Sequence, residues 1–159
     1  MKVFGLLGKN ISYSFSRSYF QKKFQESGIE AEYLNFDIPN IEDFLKILIE
    51  NENLKGLNVT IPYKQEIIPF LDELDPVAAE IGAVNTIKVF KNGILKGFNT
   101  DYFGFVEAIK PFLQKGQTKA LILGTGGASK AVSFGLKSLG IDFQYVSRQK
   151  SDFALTYEK

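Results

Sequence analysis

The chain has 159 residues, 45% of them hydrophobic, and a formal net charge of +1 at pH 7. It contains neither histidine nor cysteine, which excludes Ser-His-Asp and Cys-His nucleophiles, disulfides, and zinc sites of the usual His or Cys type. It also has no long block of like charge and no apolar run able to span a bilayer, so neither nucleic acid nor a membrane is expected as a partner. Any proton transfer must therefore use lysine, aspartate, glutamate or tyrosine.

The beginning of the chain alternates between strand and helix patterns. Residues 2–8 are predicted to form an apolar strand, with no signal peptide before it. A hydroxyl-rich loop follows, and Ser16 is expected to cap a helix over about 17–27. Residues 31–38 alternate like a strand, and residues 41–51 have the apolar spacing of an amphipathic helix.

A lysine follows the most strand-like stretch of the chain. A buried strand is predicted over about 56–61, and a helix is predicted from roughly 63 to 71. Lys64 would then lie at a helix N-terminus, where the helix field disfavours a positive charge and eases proton release. The alternative is an ordinary solvent-facing lysine. A second short helix is expected over about 76–81, with a proline in its first turn.

An Asn-Gly pair gives the strongest hairpin signal of the sequence. It predicts two strands, over 84–90 and 94–99. Asp101 is expected to cap the next helix, which Pro111 distorts or ends. A capping role alone would account for Asp101.

The pattern then restarts after a boundary at 114–117. A buried strand over 119–123 precedes a glycine-rich turn, a helix over 127–139 and a strand over 142–147. The alternation of strands and helices predicts an α/β fold.

The glycine-rich turn has the register Gly124-x-Gly126-x-x-Ser129. Such a turn between a strand and a helix lets a pyrophosphate approach free N–H groups at the helix start. The third position is serine, where glycine or alanine is usual, and an ordinary turn is the alternative interpretation.

The end of the next strand indicates which nucleotide would bind. An NAD site would have a carboxylate there, but this chain has the run from Ser147 to Lys150, with Arg148 and Lys150 as cations. Cations at this point suit a 2′-phosphate and hence NADP. Solvated surface charge is the alternative.

Five motifs appear in a characteristic order along the chain. They are Ser14-Phe15-Ser16, Asn58-Val59-Thr60-Ile61-Pro62-Tyr63-Lys64, Gly82-Ala83-Val84-Asn85-Thr86, Gly97-Phe98-Asn99-Thr100-Asp101 and Gly124-Thr125-Gly126-Gly127-Ala128-Ser129. Together they resemble shikimate dehydrogenase from Gly5 to about Arg148. The resemblance implies reversible reduction of 3-dehydroshikimate to shikimate with NADPH, in the biosynthesis of chorismate and the aromatic amino acids.

The resemblance also implies residue roles. Lys64 is similar to the catalytic lysine of the family and Asp101 to its partner. The implied contacts to the substrate carboxylate and ring hydroxyls are Ser14, Ser16, Thr60, Lys64, Asn85 and Asp101. The implied contacts to NADP are Gly124, Thr125, Gly126, Gly127, Ala128, Ser147 and Arg148.

Three features depart from the family pattern. Tyr13 stands where many members have histidine, and Ser147 and Gln149 flank Arg148 where asparagine and threonine are usual. The family's chains also continue well beyond this length. The alternatives are a quinate/shikimate dehydrogenase that uses NAD and a non-catalytic module that binds a small acid.

The domain organisation follows from the same pattern. We expect a substrate-binding catalytic domain over 1–101, a linking helix and boundary over 102–117, and part of a Rossmann-like NADP-binding domain over 118–159. The first domain should have a mixed sheet. An incomplete second sheet would leave an exposed apolar edge, so we expect weak or absent turnover from residues 1–159 alone. The expected location is the cytoplasm, as a monomer or a homodimer.

Overall fold

The computed structural model describes residues 1–149 and 152–157. The strands of this part are β1 (Lys2–Gly8), β2 (Ala31–Asp37), β3 (Leu54–Val59), β4 (Glu73–Leu74), β5 (Thr86–Val89), β6 (Leu95–Phe98), β7 (Lys119–Leu123), β8 (Asp142–Ser147) and β9 (Ala154–Thr156). The α-helices are α1 (Phe15–Glu26), α2 (Phe44–Glu50), α3 (Pro76–Ile81), α4 (Asp101–Ile109) and α5 (Gly127–Ser138).

A six-stranded mixed sheet organises the first part of the chain. Its order is β2-β1-β3-β5-β6-β4, with β1 parallel to both β2 and β3 and with β5 antiparallel to β3 and β6. The expected hairpin joins β5 and β6, and Gly93 in its turn has a φ of +86°. Because β1 and β3 are parallel neighbours, their carboxyl ends meet at one edge of the sheet, where the polar loops follow.

The main hydrophobic core lies against one face of this sheet. Leu57 and Val59 of β3 pack there with Phe44 and Ile47 of α2. Phe44 is fully buried, and its ring meets Phe70 edge to face at 6.1 Å. The strand that precedes Lys64 is therefore anchored in the largest hydrophobic cluster of the described residues, which gives that lysine a rigid base.

The second sheet consists of parallel strands in the order β7-β8-β9, with α5 as the crossover between β7 and β8. This is the arrangement with which a Rossmann-like fold begins. The protein thus has an α/β fold in which a mixed-sheet unit precedes a Rossmann-like unit. Leu121 and Leu123 of β7 are exposed.

Helix α5 packs back onto the first part of the chain. A Cβ added to Gly135 would lie 2.9 Å from the ring of Phe105, so α5 and α4 approach closely here. The Tyr102 and Phe134 rings meet edge to face at 5.1 Å. Ala131 packs with Ile81 and Ala83. These contacts bring the start of α5 to the carboxyl edge of the first sheet.

The helix predicted over 63–71 is wrong. The chain forms turns there and one short 3-10 helix, Ile68–Phe70. The Lys64 carbonyl accepts a hydrogen bond from Val84 N at 2.7 Å, which competes with its use inside a helix. Pro69 has no N–H to donate and restricts the residue before it. The argument that a helix field acts on Lys64 therefore does not apply.

Two other helix starts also differ from the prediction. Helix α1 begins at Phe15 and is capped by Ser14, whose Oγ accepts from Ser16 N at 3.2 Å, so Ser16 is not the cap. The segment 41–51 starts as a 3-10 helix, and Leu45 and Ile49, which are part of its apolar spacing, are exposed. The hydrophobic residues there are spaced so that more than one face of the helix could be buried. Packing buries the face that carries Ile47.

Among the described residues, none of the helices combines the length and apolar character that crossing a bilayer requires.

Candidate active site

The Lys64 and Asp101 side chains meet at the carboxyl edge of the six-stranded sheet. Lys64 follows β3, and Asp101 is the first residue of α4, where the helix dipole favours an anion. Lys64 Nζ donates a hydrogen bond to Asp101 Oδ2 at 2.7 Å. The two side chains are 13% and 33% exposed, so the pair is partly shielded yet reachable from solvent.

The Asn85 amide holds the other side of the Asp101 carboxylate. Asn85 Nδ2 donates to Asp101 Oδ1 at 2.8 Å and to Thr100 Oγ1 at 2.9 Å. Its Oδ1 accepts from the Thr100 backbone N–H at 2.9 Å. Asn85 itself is buried. A lysine and an amide therefore fix the carboxylate from two directions, which defines the position of its oxygens.

Asn99 does the capping that was predicted for Asp101. Its Oδ1 accepts from Asp101 N at 3.0 Å and Tyr102 N at 3.4 Å. Its Nδ2 donates to Ala83 O at 2.9 Å. Asp101 is thus free of a capping role, and its carboxylate serves the ion pair. The sequence contained the signal, because an asparagine two residues before a helical N–H is a common capping arrangement.

The hydroxyl-bearing residues lie at the same edge, on loops or in the first turn of α1. Asp37 fixes the loop before α1 by accepting from Asn10 N at 2.8 Å and Ile11 N at 3.0 Å. Ser14 and Ser16 follow this loop, and both are half-buried. Thr60 comes directly after β3, and its backbone N donates to Leu7 O at 2.9 Å. The structure therefore places Ser14, Ser16 and Thr60 at the carboxyl ends of β1 and β3.

Ser16 also lies beside a buried tyrosine. Burial raises the pKa of Tyr33 to about 12, and a hydrogen bond with the Ser16 side chain partly opposes that rise. The Tyr33 ring stacks on Phe20 at 4.7 Å. The hydroxyl therefore stays protonated at neutral pH and remains available as a hydrogen-bond donor.

Raising the pH should cost stability through this tyrosine. Because the folded pKa of about 12 exceeds the usual value of 10, the contribution is full below pH 10 and is lost as the pH rises towards 12. We expect the free energy of unfolding to fall over this interval, and to fall less steeply in Tyr33→Phe. Urea denaturation at a series of pH values measures this. Tyr13→Phe, which changes an exposed tyrosine, is the control; equal slopes for Tyr33→Phe and wild type would contradict the expectation.

The glycine-rich turn contacts Lys64 directly. A Cβ added to Gly127 would lie 2.9 Å from the Lys64 Cβ, so only glycine fits without displacement. Gly124 has a φ of +117°, a conformation that favours glycine. Among the described side chains none caps α5, so its first N–H groups remain available to an anion. The turn thus has the space and the donors that a pyrophosphate needs, next to the ion pair.

The end of β8 lies beside this turn. Gly124 N donates to Val146 O at 2.8 Å, which places Ser147 and Arg148 next to the glycines. Ser147 Oγ accepts from Gln149 N at 3.2 Å, and the Arg148 side chain is exposed. Arg148 is therefore an exposed cation at the strand end beside the turn. Lys150, the other cation of the predicted segment, lies outside the described residues.

Comparison with known proteins identifies the family. The family model described as the shikimate dehydrogenase substrate binding domain matches residues 6–87, just over half of the chain. The chain belongs to the shikimate dehydrogenase family. A shikimate dehydrogenase (NADP(+)) of Clostridium botulinum is 39% identical to it, over 100% of this chain and 62% of the relative.

Solved shikimate dehydrogenases have the same fold. Shikimate dehydrogenase 1 from Peptoclostridium difficile is 41% identical with a TM-score of 0.85, over 99% of this chain and 61% of that one. The Thermus thermophilus enzyme, solved in complex with NADP(H) and shikimate, is 35% identical with a TM-score of 0.82, over 94% of this chain and 57% of that one. The chain therefore spans about three fifths of the length of these shikimate dehydrogenases.

Proposed function

We propose that this protein is an NADP-dependent oxidoreductase that interconverts 3-dehydroshikimate and shikimate. One observation carries the proposal: the Lys64–Asp101 ion pair lies directly against the glycine turn, with the Gly127 backbone in contact with Lys64. A proton donor and a nucleotide-binding turn in contact are what a carbonyl reduction by hydride transfer requires.

Lys64 is the proposed acid and base. When bound, NADPH would supply a hydride to the carbonyl carbon in reduction. The Lys64 ammonium gives a proton to the oxygen that becomes negative, which leaves a hydroxyl group and a neutral amine. In oxidation the amine takes that proton back. Asp101 orients the ammonium and accepts a hydrogen bond from the reacting hydroxyl.

The remaining polar residues would hold the rest of the substrate. Ser14 and Ser16 are proposed to bind the carboxylate, while Thr60 and Asn85 bind ring hydroxyls. A site made of hydrogen-bonding groups discriminates strongly against analogues that lack a hydroxyl, because its own polar groups would then be left unpaired. The proposed substrate is therefore a small polyhydroxylated acid.

The proposed cofactor site is centred on the glycine-rich turn, which has space for a pyrophosphate. Gly124 and Gly126 leave room for the pyrophosphate, Gly127 makes room for Lys64, and the N–H groups from Thr125 to Ala128 would bind the pyrophosphate. Ser147 and Arg148 would bind the 2′-phosphate of the adenosine ribose.

Removing the Arg148 guanidinium should harm only the use of NADP. We expect Arg148→Ala to raise the KM for NADP⁺ by about tenfold, the loss of one charge-assisted contact, and to leave the KM for NAD⁺ unchanged. Steady-state rates with both cofactors at saturating shikimate measure the difference. Arg17→Ala, which removes an arginine in α1, is the control. Equal losses with the two cofactors would contradict the assignment of Arg148. A wild-type enzyme that turns over faster with NAD⁺ than with NADP⁺ would favour an NAD-dependent quinate/shikimate dehydrogenase.

The proposed domains are a substrate domain over 1–101, a link over 102–117 and the beginning of the NADP-binding domain over 118–159. The two sheets support this division, because one is built before residue 99 and the other after residue 118. The proposed location is the cytoplasm. A monomer and a homodimer are both compatible with this proposal.

A turnover assay tests the proposed function. In the full reading frame that contains residues 1–159, we expect reduction of NADP⁺ that depends on shikimate; no such reduction would refute the proposal. Residues 1–159 alone should turn over weakly or not at all. Near-normal turnover from them would show that the additional length of the relatives is dispensable.

A further inference from the structure

Five polar side chains form one continuous hydrogen-bond chain across the first sheet. Tyr33 OH donates to Asn58 Oδ1 at 2.8 Å, and Asn58 Nδ2 donates to Thr86 Oγ1 at 3.4 Å. Thr86 Oγ1 donates to Asn85 Oδ1 at 3.0 Å, and Asn85 Nδ2 donates to Asp101 Oδ1 at 2.8 Å. We call this the Tyr33–Asp101 chain.

The two ends of the Tyr33–Asp101 chain fix its direction. The ionised Asp101 carboxylate can only accept, so the Asn85 nitrogen must face it. At the other end, the Tyr33 hydroxyl stays protonated and donates to Asn58. Between these ends each link joins a donor to an acceptor, so the partly buried side chains support one another's orientation.

Thr86 is the member of the Tyr33–Asp101 chain that holds the Asn85 oxygen, together with the Thr100 backbone N–H, which donates to the same oxygen at 2.9 Å. It lies on β5 directly opposite Asn58 on β3, so the sheet register holds the two side chains together. Its hydroxyl accepts from Asn58 and therefore turns its own hydrogen towards Asn85 Oδ1. The oxygen of Asn85 is then held away from Asp101. With the amide reversed, that oxygen would face the carboxylate, acceptor against acceptor.

We propose that Thr86 is a positioning residue, which acts through Asn85 to hold the Asp101 carboxylate against Lys64. This inference rests on the proposed function. It adds a residue that makes none of the proposed contacts with substrate or cofactor. The orientation of Asp101 decides where the Lys64 ammonium points, so a loosened amide would lower the rate of proton transfer.

Thr86→Val tests the proposal, because valine keeps the β-branched shape and removes the hydroxyl. In the full reading frame we expect kcat for shikimate oxidation to fall by about tenfold, the loss of one hydrogen bond in a positioning network, with KM for NADP⁺ unchanged. Thr86→Ser keeps the hydroxyl and should stay within about twofold of wild type. Thr156→Val makes the same change in the second sheet, at a half-buried position of β9, and should leave kcat unchanged.

A double variant separates positioning from a general structural role. If Thr86 acts through Asn85, Thr86→Val should cost less than about twofold in kcat when added to Asn85→Ala. A full tenfold loss in that background would overturn the proposal. So would a Thr86→Val enzyme whose melting temperature falls while its kcat stays at the wild-type value.

A spectroscopic measurement keeps this inference separate from the proposed function. If the full reading frame does not oxidise shikimate, the proposed function fails, and the Asn85 side-chain amide signals in NMR spectra of residues 1–159 decide about Thr86. We expect faster hydrogen exchange of that amide in Thr86→Val and wild-type exchange in Thr86→Ser. Unchanged exchange in Thr86→Val would refute the positioning role.

Discussion

Lys64→Ala should lower kcat for shikimate oxidation by about 1000-fold and weaken shikimate binding much less. General acid–base catalysis by one side chain contributes about 100-fold to 10,000-fold, and this chain has no histidine that could substitute. Because the side chain is paired and mostly shielded, water replaces it poorly. Steady-state kinetics on the full reading frame, with shikimate binding measured separately by calorimetry, distinguishes the two effects.

Lys96 provides a matched control for this experiment. It is also a partly shielded lysine on the same sheet, 29% exposed and paired with Glu73 at 3.1 Å. Lys96→Ala should leave kcat unchanged. A similar loss of turnover in both variants would mean that Lys64 acts through stability alone. A protein that binds shikimate but has no turnover to lose would instead be a binding module.

Asp101→Asn should lower kcat by about 100-fold. The substitution keeps the shape of the side chain but removes the charge that orients the Lys64 ammonium, and it leaves that ammonium without its partner at a shielded position. The new amide can also present a donor to the Asn85 nitrogen where an acceptor was needed. Steady-state kinetics with shikimate and NADP⁺ measures the loss, and the thermal melt shows whether folding is retained.

Two further variants are needed to interpret the effect of Asp101→Asn on kcat. Glu73→Gln removes the acidic partner of Lys96 and should leave kcat unchanged. The double variant Lys64→Ala with Asp101→Asn should be about as slow as Lys64→Ala alone, because two groups that act as a unit are not additive. Multiplied losses in the double variant would show that Asp101 acts independently of Lys64.

Periodicity was sufficient to predict most of the fold. The strands over 2–8, 119–123 and 142–147 and the helix over 76–81 have the predicted bounds, because each is delimited by glycine, proline or a polar cap. The hairpin was also predictable, since an Asn-Gly pair specifies its turn, although its strands, Thr86–Val89 and Leu95–Phe98, are shorter than predicted.

The errors occur where tertiary contacts override local preference. Residues 63–71 have a helix-like composition, but the Lys64 carbonyl bonds to Val84, a residue twenty positions away. The exposed Leu45 and Ile49 show that hydrophobic spacing alone cannot select the buried face of a short helix.

The site was partly predictable from the order of the strands and loops along the chain. Parallel strands bring the residues that follow them to one edge, so the meeting of Lys64 with Asp101 agrees with expectation, although the helix-field argument for Lys64 was wrong. The Tyr33–Asp101 chain was not predicted. The alternation that predicted β2 consists of Leu34, Phe36 and Ile38. Tyr33 lies on the opposite side of the strand. Its hydrogen bond to Asn58 depends on the order of the strands in the sheet, which no local pattern specifies.

Titration of shikimate into residues 1–159, followed by NMR, tests the proposed site most directly. We expect saturable binding, with the largest chemical-shift changes at Ser14, Ser16, Thr60, Lys64, Asn85 and Asp101, and the same shifts at lower amplitude when Asp101→Asn is titrated to an equal concentration. An absence of saturable binding, or shift changes confined to a region away from the Lys64–Asp101 pair, would contradict the assignment of this pair to a polyol substrate.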